Sequence, residues 1–129
     1  MSWIFDDNRS IYTQLVEQIQ LLIIKGEYPP GSRLPAVREL AAEAGVNPNT
    51  MQRALAELER SKLVYSLRTS GRFVTEDTAM IEELKNEIAR NEVHSFCTKL
   101  QTLGYTKEEI LSFVAEEKDE EVQRQIKKI

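Results

Sequence analysis

The chain has 129 residues, of which 41% are hydrophobic and 29% are charged, with a formal net charge of −4 and a single cysteine. This length suits one compact domain with a modest appendage, and the apolar content excludes wholesale disorder. One cysteine and one histidine exclude an internal disulfide, a cysteine-based zinc site and multi-histidine metal centres, so we expect no metal and no cofactor. No apolar run approaches the ~20 residues of a membrane span and no signal peptide begins the chain, so we expect a cytoplasmic protein without a membrane partner.

The charge is unevenly distributed along the chain. Residues 1–75 carry a net charge of +1, residues 76–129 carry −5, and the stretch 33–72 by itself carries +3. The overall negative charge argues against a nucleic-acid partner, because phosphate binding depends on Lys and Arg. The distribution by segment instead predicts a basic functional surface joined to an acidic module. We therefore place a first domain at residues 1–76 and a second at residues 77–129.

The first predicted elements are two helices separated by a proline-rich turn. Apolar residues at helical spacing predict a helix over residues 10–25, ended by Gly26. Its predicted buried side chains are Ile11, Leu15, Ile19, Leu22 and Ile23. Three prolines within residues 29–35 predict a turn that leads into a short extended piece. A short helix over residues 36–44 follows and is closed by Gly45.

The third predicted helix has two different faces. Asn47 as N-cap and Pro48 at the first helical position mark its start, and the pattern continues to about Lys62. The predicted core face consists of Met51, Ala54, Leu55 and Leu58. The opposite face consists of Asn49, Gln52, Arg53, Ala56 and Arg60. One face is therefore apolar and the other offers hydrogen bonds and positive charge.

A short β-hairpin is predicted after this helix. The β-rich runs 63–67 and 72–75 flank a turn at residues 68–71. The tip of the hairpin carries Arg68, Thr69, Ser70 and Arg72. Two helices joined through Gly45 and followed by a hairpin predict a winged helix-turn-helix domain, so the expected fold class is mainly α with a small β-hairpin.

The acidic module is predicted to be helical. A long helix runs from about Ala79 to Gly104 with one irregular step near Asn91, and a last helix begins at a capping box of Thr106 and Glu109. The apolar positions of the long helix are Ile81, Leu84, Ile88, Val93, Phe96, Leu100 and Leu103. In the last helix we expect Ile110, Leu111, Phe113 and Val114 to be buried.

The long helix has more apolar surface than a single helix leaning on a winged domain can cover. We therefore predict that its apolar positions form the interface of a homodimer, which also suits a two-fold DNA site. The alternative is that the tail folds back onto its own domain as a lid.

The polar face of the third helix has the chemistry of a DNA-reading surface. Asn49, Gln52 and Arg53 lie at i, i+3 and i+4, where Asn and Gln can bond adenine edges and Arg can bond guanine or phosphate. The basic wing, and Arg33 within the same +3 stretch, suit contacts to a neighbouring minor groove or backbone. The alternatives are a merely solvated face, or a winged-helix module that binds protein or RNA. Protein-binding modules tend to expose apolar groups where this face has hydrogen-bond donors.

Two runs of the sequence resemble a known family. Residues 28–41 (YPPGSRLPAVRELA) and 45–55 (GVNPNTMQRAL) closely resemble the DNA-binding domain of bacterial GntR-type transcription regulators, and the match extends to Gly71-Arg72-Phe73-Val74. The resemblance covers roughly residues 10–75. The short helical remainder resembles the YtrA-type branch, whose tail dimerises the protein.

The resemblance implies a dimer that binds double-stranded DNA at a two-fold operator and represses a nearby operon, often one that encodes an ABC transporter. Arg38 is similar to the arginine with which the family grips DNA. The recognition-helix positions are Asn47, Asn49, Thr50, Gln52 and Arg53, and the wing runs from Arg68 to Arg72 through Thr69, Ser70 and Gly71. Many relatives have Arg where this chain has Pro48 and Gln52, so their base contacts do not transfer. Their wing turn is often richer in glycine than Thr69-Ser70-Gly71, so a minor-groove role of the wing is not carried over either.

Enzyme and metal chemistry find little support in the sequence. No nucleophile accompanies a histidine base, and no glycine-rich phosphate loop exists. His94 and Cys97 lie three residues apart, but two ligands do not make a metal site, so we interpret both as packing residues near the dimer interface. The sequence leaves open that a small-molecule effector of unknown identity binds between the tail and the winged domain, although no polar cluster marks a pocket.

Overall fold

The computed structural model describes residues 3–118 and confirms a mainly helical fold with one antiparallel hairpin. The elements are α1 (Ile11–Ile24), α2 (Val37–Ala44), α3 (Pro48–Arg60), β1 (Val64–Leu67), β2 (Gly71–Val74), α4 (Thr78–Thr102) and α5 (Lys107–Glu116). The described residues form two compact units that divide between Lys85 and Asn86, inside α4. No helix in this range combines the length and the apolar character needed to cross a bilayer.

The predicted helix caps are present. Ser10 accepts a hydrogen bond from the backbone N–H of Thr13 at 3.1 Å and so caps α1. Asn47 accepts from the N–H of Asn49 at 2.8 Å, with Pro48 next to it, and so caps α3. Gly45 ends α2 in the left-handed region at φ 69°, where a glycine has no steric cost.

Helix α3 ends two residues earlier than its sequence pattern predicts. Lys62 has φ 69°, the left-handed conformation that a helix end usually reserves for glycine. The N–H of Leu63 bonds the carbonyl of Leu58 at 3.1 Å and the N–H of Lys62 bonds that of Glu59 at 3.0 Å, as in a Schellman motif. The absence of a glycine at this position explains why the sequence did not indicate the stop.

The hairpin gains a third extended segment along its edge. In β1 and β2, Val64 pairs with Val74 and Leu67 pairs with Gly71. The N–H of Leu34 donates to the carbonyl of Arg72 at 2.8 Å. The predicted extended piece after the proline-rich turn is therefore confirmed, and it fixes the base of the hairpin.

The core of the first unit lies between α1, α2, α3 and the hairpin. Its fully buried side chains include the predicted apolar positions of α3 and most of those of α1, which are Leu15, Ile19, Leu22, Ile23, Met51, Ala54, Leu55 and Leu58. Ile11 was predicted to be buried but is exposed, because it is the first residue of α1 and lies at the edge of the unit. Ile81 and Leu84 of α4 pack against this same core.

An N-terminal segment crosses the start of α1, which the sequence pattern did not indicate. Trp3 and Phe5 pack against the core. Gln14, only 5% exposed, accepts from the N–H of Asp6 at 2.6 Å and donates to the carbonyl of the same residue at 2.8 Å. Gln18 donates to the carbonyl of Ile4 at 2.7 Å. Two glutamines of α1 thus replace the missing backbone partners of an irregular segment.

The second unit pairs the distal part of α4 with α5. The capping box is confirmed, because Glu109 accepts from the N–H of Thr106 at 3.0 Å and Thr106 accepts from that of Glu109 at 3.2 Å. Ile110 is buried as predicted. The prediction for the rest of α5 was wrong within this chain, since the remaining three positions are exposed. These are Leu111 at 61%, Phe113 at 43% and Val114 at 51%.

The reason is that only part of one side of α5 is covered. Phe113 and Val114 follow Ile110 at i+3 and i+4 on the same side of the ten-residue helix, yet only Ile110 is buried. Phe113 instead contacts Tyr105 edge to face, with ring centroids 5.1 Å apart. The number of apolar residues in the sequence of α5 therefore overestimated how many of these side chains are buried within a single chain.

Candidate nucleic-acid interface

The outward face of α3 is polar, positively charged and open to solvent. Asn49, Gln52 and Arg53 are all exposed, as are Ala56 and Arg60. The opposite side of the same helix is fully buried, so α3 cannot rotate without exposing the core. The helix-turn-helix frame therefore presents these side chains in a fixed orientation.

Arg53 does not project freely from this face. Its Cζ lies 4.7 Å from the centroid of the Tyr12 ring, in a cation–π arrangement. Tyr12 is the second residue of α1 and is half-buried. The start of α1 thus contacts the outward face of α3 through Arg53.

Arg60 at the end of α3 is paired within its own helix. It donates from Nε to Oε2 of Glu57 at 2.8 Å and makes a second bond from its Nη2 to Oε1. The hydrogen bond from Arg60 holds the pKa of Glu57 below its usual value, and the nearby Tyr12 hydroxyl has a smaller effect of the same sign. A doubly bonded arginine at the end of α3 is less available to a phosphate than Arg53.

A second acidic residue of α3 anchors the wing. Glu59 accepts hydrogen bonds from Ser66 Oγ on β1 and from Arg72 Nε on β2, the latter at 2.7 Å. Burial by itself raises the pKa of Glu59, but the two hydrogen bonds and the charge of Arg72 outweigh it, so the pKa is lowered. Arg72, predicted to face DNA, is therefore bound to Glu59 and ties the hairpin to α3.

The side chain of Arg33 lies against the wing beside Gly71, next to the turn of the hairpin. A Cβ added at Gly71 would be 3.0 Å from Arg33 Nε, and Gly71 has φ 106°, which side chains rarely adopt. The glycine thus permits both the tight turn of the hairpin and the close approach of the guanidinium. Arg33 is itself exposed, so its charge stays at the surface beside β2.

The tip of the wing is free of such anchors within the part of the chain that the structure describes. Arg68, Thr69 and Ser70 are exposed, and the turn closes with the N–H of Ser70 on the carbonyl of Leu67 at 3.1 Å. Arg68 makes no ion pair with a described residue. It is the cation of the hairpin that is available to a phosphate.

The remaining predicted DNA-binding residues differ in accessibility. Arg38, in the first turn of α2, is exposed. Asn47 is exposed, but its side-chain oxygen is used to cap α3, which leaves its amide N–H groups. Thr50 is half-buried. The predicted residues of the helices and of the wing therefore all belong to the first unit, but their side chains differ in exposure and in the hydrogen bonds they already make.

Sequence reasoning missed Tyr12, Glu57 and Glu59 as parts of this surface. The Glu57–Arg60 pair has an i, i+3 spacing that a search for helical ion pairs would have found. The Glu59–Arg72 pair spans 13 residues and two kinds of element, and no local pattern indicates it.

The seven predicted dimerisation residues differ in burial, and two of them, Ile88 and Leu100, are half-buried in the second unit. Ile81 and Leu84 are half-buried against the first unit's own core. Val93, Phe96 and Leu103 are exposed, at 59%, 42% and 73%. Together with Leu111, Phe113 and Val114 they define the exposed stripe of the second unit.

His94 and Cys97 do not form a metal centre with other residues. Within residues 3–118, no group of three or more His, Cys, Asp or Glu side chains is placed to hold a metal ion. Both residues line an open groove on the second unit, together with Ala89, Arg90, Val93, Gln101 and Lys107.

The sequence matches a described protein family. Residues 11–74 match the model of the bacterial regulatory proteins of the gntR family. The chain is 39% identical over 107 residues to the uncharacterized HTH-type transcriptional regulator YhcF of Bacillus subtilis, covering 83% of this chain and 88% of that protein. It is also 42% identical over 74 residues to the HTH-type transcriptional repressor YtrA of the same organism, covering 56% of this chain and 57% of the repressor.

Solved structures show the same architecture. A GntR family transcriptional regulator from Listeria monocytogenes superimposes with a TM-score of 0.83 at 42% identity, covering 88% of this chain and all of that one. The DNA-binding domain of AraR, solved in complex with operator ORX1, covers 58% of this chain and is itself covered to 96%, with a TM-score of 0.52 and 29% identity.

Proposed function

Because the chain belongs to the GntR family of bacterial DNA-binding transcription regulators, in its YtrA branch, we propose that it represses a nearby operon as a homodimer on a two-fold operator. Members of this family are regulators rather than enzymes, and this chain is not an enzyme. Its site of action is then the bacterial cytoplasm, where the operator DNA lies.

The observation that carries the proposal is the exposed face of α3. Asn49, Gln52 and Arg53 project from a helix whose other side is locked in the core. Side-chain amides pair with the adenine edge, and arginine pairs with guanine or phosphate, in the major groove. We assign base reading to these three residues, with α3 lying in the groove.

Backbone contacts come from residues around this helix. Arg38 and the amide of Asn47 contact phosphates beside the major groove. Thr50 is half-buried, so it contacts only a phosphate that lies close to the start of α3. Arg68, Thr69 and Ser70 follow the neighbouring minor groove or its backbone. Such contacts fix the register of the protein but do not read sequence.

Arg72 and Gly71 have a different role in this proposal. Arg72 donates to Glu59 and holds the hairpin against α3, and Gly71 allows Arg33 to lie close to the wing next to its turn. These residues aim the wing, and Arg33 adds a positive charge beside it.

The exposed stripe supports the homodimer. Five large apolar side chains lie exposed on α4 and α5 within the described chain, and Leu103 lies exposed in the turn between the two helices. Burying these side chains against a second copy removes them from water. An interface between identical surfaces is two-fold, and a two-fold protein matches a two-fold operator whose half-sites are whole helical turns apart. Ile81 and Leu84, already covered by their own unit, contribute less to this interface than Val93, Phe96 and Leu103.

Repression follows from binding that blocks transcription, and the similarity to the repressor YtrA supports this sign of regulation. For the regulated genes we propose a neighbouring operon, with an ABC transporter operon as the first to examine. Mapping the binding sites across the genome identifies operator and regulated genes together.

The decisive experiment is a gel-shift and footprinting assay with the full chain and its own upstream DNA. We expect a protected two-fold site whose affinity falls with Gln52→Ala, Arg53→Ala and Arg38→Ala. Lys99→Ala is the matched control, because it removes one exposed charge from the second unit. No shift at low salt overturns the DNA proposal and favours a protein- or RNA-binding module. A shift that is insensitive to the three variants overturns the assignment of the face.

A further inference from the structure

The groove on the second unit that His94 and Cys97 line is positively charged, although the surrounding segment of the chain is acidic. It is an open groove of about 510 Å³. Residues 76–129 carry a net charge of −5, yet the described lining of the groove contains no carboxylate. Instead it contains the positive Arg90 and Lys107 and the imidazole of His94.

The cations reach the groove from two helices. Arg90 and His94 are one turn apart on α4 and so share one face, and Lys107 is the first residue of α5. Neither Arg90 nor Lys107 forms an ion pair with any residue in the range 3–118. Glu109, two residues after Lys107, is committed to the cap of α5 by its hydrogen bonds with Thr106. Among the described residues, no carboxylate is therefore held in an ion pair with either cation.

The floor of the groove is apolar. Ala89, Val93 and Cys97 share the face of α4 that lies beneath these cations, and Gln101 continues it one turn further. Ligand sites typically combine a largely apolar lining with a few convergent polar groups, and their volumes are about 300–1,000 Å³. Both conditions are met here.

We propose that this groove binds an amphipathic organic anion, such as a carboxylate with an apolar chain, and that its occupancy regulates operator affinity. The anionic head pairs with Arg90, Lys107 and His94, and the apolar body lies on Val93 and Cys97. Val93 also belongs to the exposed stripe, so the ligand lies at the edge of the surface that pairs two copies. The regulatory half of this inference rests on the proposed function, whereas the binding half does not.

Binding is tested without DNA, by calorimetry on the full chain with octanoate as the probe. We expect octanoate to bind with a dissociation constant of about 1 mM or tighter, and 1-octanol and octylammonium to bind much more weakly. Equal binding of octanoate and octanol overturns the proposal, because it indicates a merely apolar surface. Undetectable octanoate binding overturns it as well.

Matched charge variants locate the site. Arg90→Gln and Lys107→Gln are each expected to weaken octanoate binding roughly five-fold, whereas Lys99→Gln, on α4 but outside the groove lining, leaves it unchanged. A loss of the same size in Lys99→Gln indicates a diffuse charge effect and contradicts the assignment.

A second copy of the chain is the competing occupant of the groove. In that case the double variant Arg90→Gln/Lys107→Gln would weaken self-association in sedimentation without octanoate, and the proposal would fall. We expect its self-association to equal that of the wild type.

The regulatory half is tested on the operator that footprinting defines. Saturating octanoate should change operator affinity in the wild type and in Lys99→Gln, but not in the double variant. Octanoate binding without any change in operator affinity overturns the regulatory half alone. Failure of the chain to bind DNA overturns the proposed function, and the calorimetric result is unaffected by it.

Discussion

The guanidinium of Arg53 lies over the ring of Tyr12, 4.7 Å from its centroid. The contact joins α1 to the outward face of α3, next to the Glu57–Arg60 ion pair. A long arginine side chain in water loses rotamer entropy when it binds DNA, and a stacking partner removes part of that cost beforehand. We therefore expect Tyr12 to position Arg53 for the proposed contact with DNA.

Replacing this ring should weaken operator binding through Arg53. We expect Tyr12→Leu to reduce operator affinity about two- to five-fold, since an exposed cation–π contact contributes on the order of 0.5–1 kcal/mol. Tyr12→Phe, which keeps the ring, should bind like the wild type. Fluorescence anisotropy with labelled operator measures both.

A double-mutant cycle separates this effect from a general loss of structure. In the Arg53→Ala background, Tyr12→Leu should have no further effect on affinity. A loss that persists without Arg53 would show that Tyr12 acts by another route, such as its own contact to DNA.

The two arginines of the wing should behave oppositely. Arg72→Ala removes the bond to Glu59 and should lower the free energy of unfolding by about 1 kcal/mol, because a partly buried carboxylate loses its partner. Arg68→Ala should leave thermal stability unchanged but weaken DNA binding and reduce its dependence on salt. Thermal unfolding and salt titrations of affinity measure the two effects. An unchanged melting temperature in Arg72→Ala contradicts the anchoring role.

The anchor of the wing should also depend on pH. The pKa of Glu59 is lowered in the folded chain, so its ionised form stabilises the fold at pH values above its unfolded pKa. This contribution is lost as the pH falls through the lowered folded pKa. We expect the difference in melting temperature between wild type and Glu59→Gln to be largest near neutral pH and to vanish well below about pH 4.

The control for this titration is Glu82→Gln on α4. Glu82 is exposed and makes no ion pair within the described range, so its removal should change the melting temperature little at any pH. A Glu59→Gln difference that persists at low pH would contradict an electrostatic anchor.

Self-association should fail when the exposed stripe becomes polar. Leu103 is 73% exposed, so Leu103→Gln should leave the fold of the single chain intact while shifting sedimentation towards the monomer. Leu21→Gln, at an exposed leucine of α1, is the matched control and should leave the oligomeric state unchanged. A wild-type chain that is monomeric at micromolar concentration would contradict the dimer itself.

Patterns within one helix predicted the architecture well. The Asn47-Pro48 start and the apolar spacing of α3 were enough to indicate which side is buried and which side carries Asn49, Gln52 and Arg53. Such predictions succeed because helical periodicity fixes relative side-chain directions without knowledge of other elements.

Contacts between elements were not predictable in the same way. The bond from Arg72 to Glu59 depends on how the hairpin folds back, and Lys62 takes a glycine-like conformation without being a glycine. The α5 residues show a further limit. An apolar side chain such as Leu111 looks the same in sequence whether its own chain or another molecule covers it.

The attachment of Trp3 to the core gives the molecule a built-in optical reporter. It is the single tryptophan of the chain, and it packs on the first unit beside a segment held by Gln14 and Gln18. Its emission therefore follows the unfolding of that unit, while far-ultraviolet circular dichroism follows all the helices. Comparing the two signals in one melt reveals whether the DNA-reading unit and the helical tail lose structure together or in sequence.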